Sequence, residues 1–168
     1  MPETHETIVL DQFFSNLLKM AERLEHASAA FYFEASKHVS DGQVSIKLQS
    51  LASKELEHKD FFSGLELNFK DKLDQPLGEV AENAISNYVK AFENSKVFDF
   101  DYILNKKFVG YESVEAIVDF ALTFEKDSIV FYSGLASIVE DKTLERLLKE
   151  IIREEFNHIA DLSGIEYF

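Results

Sequence analysis

The sequence predicts an all-α fold: a four-helix bundle of two repeated helical hairpins, joined by a long crossover that contains a short helix. Three observations lead there. Apolar residues recur at helical spacing over four long segments. The 168 residues include only 6 Gly and 2 Pro. Residues 21–66 match residues 121–166 at a constant offset of 100 without a gap, with 13 identities in 46 positions, where composition alone gives about 3.

The first helix is expected from about Thr7 to Val39, with Phe13, Phe14, Leu17, Leu18, Ala21 and Leu24 on one face, and Ser40-Asp41-Gly42 ends it. Val44, Ile46, Leu48, Leu51, Leu56, Phe61, Phe62 and Leu65 carry a second helix to about Glu66. A third runs from about Ser113 to Val139 and a fourth from about Lys142 to Ser163, with Asp141 as its N-cap. Between the pairs, Pro76-Leu77-Gly78 breaks the chain and Glu79 to Ser95 reads as a helix of the crossover. One domain over residues 1–168 is expected, with repeat 1 at about 7–66, the crossover at 67–111 and repeat 2 at about 112–166.

Composition excludes several classes of function. A net charge of -14 with no cluster of Lys or Arg argues against nucleic-acid binding. With no Cys there is no disulfide, thiolate metal site or iron–sulfur centre, so any metal must bind through oxygen and imidazole. No stretch approaches the roughly 20 apolar residues needed to span a bilayer. The first residues, MPETHETIVLDQFF, lack the basic and apolar regions of a secretory signal. A soluble cytoplasmic protein with no membrane or nucleic-acid partner is the expectation.

Each repeat carries a Glu on its first helix and, 30 residues later, a Glu-x-x-His on its second: Glu25 with Glu55 and His58, and Glu125 with Glu155 and His158. Residues three apart share a helix face, so each Glu and its His can reach one metal pair. Glu25 lies 16 residues before Asp41 and Glu55 lies 14 after it. These separations are about 24 and 21 Å along the helices, which levels the two carboxylates. Both sets meet if the hairpin turns lie at opposite ends, an arrangement that requires the long crossover. About 0.6 Glu-x-x-His matches are expected by chance, so two in register carry the signal. Four carboxylates balance two divalent ions, and the mixed oxygen and imidazole donors suit iron or manganese and also admit zinc.

Tyr32 and Tyr132 follow Glu25 and Glu125 by seven residues and so project from the same face about two turns on. Each is placed to give its hydroxyl to a ligand carboxylate or to act near an oxidised metal, or else to be a core residue satisfied elsewhere. His5, His26 and His38 have no repeat partner and read as ordinary surface or packing residues.

This ligand pattern resembles the ferritin-like di-iron carboxylate proteins, and within them the rubrerythrin-like branch, through the gap-free repeat and the Tyr beyond each single Glu. The resemblance spans residues 7–66 and 112–166. It implies that Glu55 and Glu155 bridge two iron ions, that Glu25, Glu125, His58 and His158 are terminal ligands, and that the site reduces hydrogen peroxide. Two departures stand out. Rubrerythrins carry an extra ligand Glu where this chain has Ser128, and a Cys-ligated rubredoxin module that a chain without Cys cannot contain.

Three functions follow as expectations. The first is a non-haem di-iron oxidoreductase reacting with peroxide or dioxygen, with electrons from an external donor protein if it is a peroxidase. The second is a ferroxidase or iron-handling protein for which Fe(II) is the substrate. The third is a non-catalytic module that the metal only stabilises. A homodimer or larger homo-oligomer is expected from the resemblance.

Overall fold

The computed structural model describes residues 5–69, 83, 87, 88, 90–92, 113–139 and 141–166. Four long helices carry the architecture: α1 (His5–Ser36), α2 (Gly42–Phe69), α3 (Val114–Ile138) and α4 (Lys142–Ser163). Both hairpin turns rest on the same device. Asp41 Oδ1 accepts from the amides of Gln43 (2.7 Å) and Val44 (3.2 Å), and Asp141 Oδ1 accepts from Thr143 and Leu144 (both 2.9 Å). Each Asp satisfies amide donors that a helix start leaves unpaired, a contribution of about 1 kcal/mol. Ser113 caps α3 through Ala116 N.

The helix ends differ slightly from the spacing-based expectation. α1 stops at Ser36, where the Lys37 and His38 amides fold back on Glu34 and Ala35, and α2 continues three residues past Glu66 to Phe69, taking those residues from the expected crossover. The rest of that crossover, with its expected 79–95 helix, lies mostly outside the described residues. Residues 83, 87, 88 and 90–92 are helical. Tyr88 packs against α3 and donates to the carbonyls of Val130 and Phe131, both at 2.8 Å. A Cβ at Gly134 would overlap the Tyr88 ring, so the absence of a side chain there makes room for it.

Within each hairpin the two helices pack closely, while the hairpins face each other at a wider spacing. Phe31 late in α1 meets Phe120 early in α3, with ring centroids 4.9 Å apart. Lys47 and Lys54 of α2 reach Gly164 O (3.4 Å) and Asp161 (3.2 Å) at the end of α4. Facing helices are therefore antiparallel, and the two turns lie at opposite ends, as the repeat predicts. Large side chains meet across the hairpins, Phe31 against Phe120 and Phe62 stacked on Tyr132 at 5.1 Å, and Tyr32, Phe124 and Phe131 are buried with them. Each fully buried aliphatic or Phe side chain of this core contributes about 1.5–3 kcal/mol. Among the described residues, no helix is long and apolar enough to cross a membrane.

Candidate metal centre

Midway along the bundle the apolar interior gives way to charge. Glu25, Glu55, His58, Glu125, Glu155 and His158 are each no more than 3% exposed. The helical faces that bury leucines and phenylalanines above and below carry these six inward at one level. Taking unpaired charges out of water costs several kcal/mol per ion, so such a cluster lowers stability unless something compensates it.

The six form two overlapping groups. Donor atoms of Glu25, Glu55, His58 and Glu155 lie within 4.8 Å of one another, and so do those of Glu55, Glu125, Glu155 and His158. Glu55 and Glu155 belong to both. His58 Nδ1 lies 2.9 Å from Glu155, 3.5 Å from Glu55 and 3.8 Å from Glu25. His158 Nδ1 mirrors it, at 2.9 Å from Glu55, 3.2 Å from Glu155 and 3.6 Å from Glu125. The two imidazoles stack 5.5 Å apart, with 24° between their planes.

These short approaches are not hydrogen bonds. Glu55 Oε1, Glu155 Oε1, His58 Nδ1 and His158 Nδ1 are fully buried and lack a hydrogen-bond partner among the described residues. Native interiors rarely leave such atoms unpaired. Lone pairs that converge in this way, from carboxylates and imidazoles, fit a pair of metal ions shared through Glu55 and Glu155.

Two tyrosines brace the outer carboxylates across the hairpins. Tyr32 of the first hairpin donates to Glu125 of the second, and Tyr132 donates to Glu25. Each hydroxyl thus meets a carboxylate of the candidate ligand set, as expected, and the packing makes it the one on the opposite hairpin. Burial raises both phenols, and the facing carboxylates add to the shift, so both remain protonated donors.

Burial, reinforced by the charge of Glu55, holds Glu25 and Glu125 well above the usual carboxylate range. Burial acts in the same direction on Glu55 and Glu155, but their contacts with both histidines and with Glu25 or Glu125 outweigh it and hold them low. For the histidines burial opposes the charged form. The carboxylates at Nδ1 prevail, raising His58 and pushing His158 up to about 12.

Among the remaining candidates, His26 is exposed, and His38 contacts Glu34 at 3.2 Å; the His5 side chain lies outside the described residues. Ser128, one turn beyond Glu125, is buried and donates to Phe124 O at 3.1 Å. Helical spacing does not point to Glu154, whose carboxylate lies 2.9 Å from His58 Nε2. Sequence alone places it one turn before His158 on α4, and only the packing of α4 on α2 brings it to His58.

A family model described as a ferritin-like domain matches residues 15–166. No curated protein matches the sequence. Among solved structures, the chain is similar to a Thermotoga maritima protein described as a candidate ferritin-like diiron-carboxylate protein. The TM-score is 0.67 at 28% identity, over 88% of this chain and 90% of that one. A family match across both hairpins, on a bundle with this buried Glu/His cluster suited to two metals, shows that the chain belongs to the ferritin-like domain family.

Proposed function

We propose that the chain holds two iron ions and acts as a rubrerythrin-like di-iron oxidoreductase on hydrogen peroxide or dioxygen. The observation that carries this reading is the pair of four-residue donor groups sharing Glu55 and Glu155, with their facing atoms unpaired. Glu55 and Glu155 would bridge, Glu25 with His58 would complete one position, and Glu125 with His158 the other. The Thermotoga maritima relative's description as a diiron-carboxylate protein supports iron over manganese or zinc.

Bound ferrous ions would supply one electron each, the two that convert hydrogen peroxide and two protons to water. The rest falls to the protein. Tyr32 and Tyr132 hold the outer carboxylates in place, and the burial of all six candidate ligands keeps bulk water away. In the peroxidase reading an external donor protein would renew the reduced state.

Anaerobic loading with Fe(II) and stopped-flow mixing with peroxide and with oxygen test the reading. Rapid oxidation with both irons retained supports it. Oxidation followed by loss of iron favours the ferroxidase reading, in which Fe(II) is substrate. Bound iron that reacts with neither oxidant leaves a structural module.

A further inference from the structure

The twofold repeat makes the two halves of the centre nearly equivalent and fails at one point behind the histidines. His58 Nε2 faces the Glu154 carboxylate at 2.9 Å. The repeat partner of Glu154 is Lys54. Lys54 offers only donors and turns outward to Asp161 at 3.2 Å. His158 Nε2 is buried with no hydrogen-bond partner among the described residues.

We infer that Glu154 is a positioning residue for His58 and makes the two metal positions unequal, the position containing His58 binding its ion more tightly and filling first. This rests on the di-metal reading above. A carboxylate accepts only from an N–H, so when the ring gives up one proton to bind metal, Glu154 keeps the remaining proton on Nε2 and leaves the Nδ1 lone pair facing Glu25, Glu55 and Glu155. It also orients the ring and makes Nδ1 a stronger donor. Carboxylates placed in this way behind a ligand His are generally worth about 10–100-fold in metal affinity. His158 has neither aid. Its tautomer is unfixed, and binding through Nδ1 buries an unsatisfied N–H, which opposes occupancy of that position. Glu154 is 52% exposed on its side chain, so solvent weakens its field, but the hydrogen bond itself ends on a buried nitrogen.

Calorimetric titration of the chain with Fe(II) under anaerobic conditions reads the two binding steps. The wild-type chain should show two steps separated by about 10–100-fold. Glu154→Ala should weaken the tighter step by a similar factor and bring the two together. Lys54→Glu should leave the tighter step in place and strengthen the weaker, by giving His158 the acceptor it lacks. Two equal steps in the wild-type chain, or a Glu154→Ala loss shared equally by both steps, would overturn the inequality while leaving the di-metal reading intact. No Fe(II) binding by the wild-type chain would remove the di-metal reading and this inference together.

Discussion

The hydroxyl of Tyr132 donates to Oε1 of Glu25, a carboxylate 107 residues away on the opposite hairpin. With its counterpart between Tyr32 and Glu125, it forms a buried link between two hairpins whose backbones are otherwise held apart. Tyr132→Phe should therefore lower the stability of the metal-free protein by about 1–3 kcal/mol, because Glu25 loses a buried partner. Two irons should still bind, since no donor atom of the metal set is removed. Urea unfolding and metal analysis of the same variant check both parts.

Binding of divalent metal should release protons and weaken as pH falls. The raised groups set the sign: Glu25, Glu125, His58 and His158 all hold protons more tightly than usual in the metal-free centre, His158 with a value of about 12. Each must give up its proton to act as a ligand. Near neutral pH as many as four protons should leave per pair of ions, one from each group, as read with a pH indicator in weakly buffered solution. In the metal-free protein the sign reverses. His158 favours the folded state most below about pH 6.5, its unfolded value, and that contribution is lost as pH rises towards about 12. Denaturation midpoints measured against pH, with and without metal, should diverge as the solution becomes more alkaline.

Much of the fold was legible because a duplicated hairpin states its geometry twice. Asp41 and Asp141 mark both turns, and equal distances from each turn bring Glu25 level with Glu55 and Glu125 level with Glu155. What escaped depends on contacts between hairpins. Periodicity along α4 assigns Glu154 to a helix surface and gives no reason to link it to His58, 96 residues away. The same limit hides the crossed tyrosine pairs. Tyr88 against Gly134 escaped for a related reason: the first repeat has Glu34 at that position, and the symmetry ends where the crossover packs on one hairpin.

On the resemblance to rubrerythrins, Ser128 stands where those proteins place an additional Glu, and here its hydroxyl is turned back to Phe124 O. Ser128→Glu places a carboxylate one helical turn beyond Glu125 on the same buried face. The variant should raise the ratio of peroxide to oxygen reactivity of the diferrous protein, measured by stopped flow under matched conditions. An unchanged or lower ratio with two irons bound would show that this position does not set the choice of oxidant.

The centre as a whole depends on Glu55 and Glu155 serving both donor groups. The most direct measurement is iron per chain after anaerobic Fe(II) loading and desalting, for the wild-type protein and for the Glu55→Ala, Glu155→Ala double variant, with helicity followed by circular dichroism. The predicted result is two irons in the wild-type chain and almost none in a double variant that remains helical. Full two-iron occupancy in the double variant, or none in the wild-type chain, would contradict a shared di-metal centre.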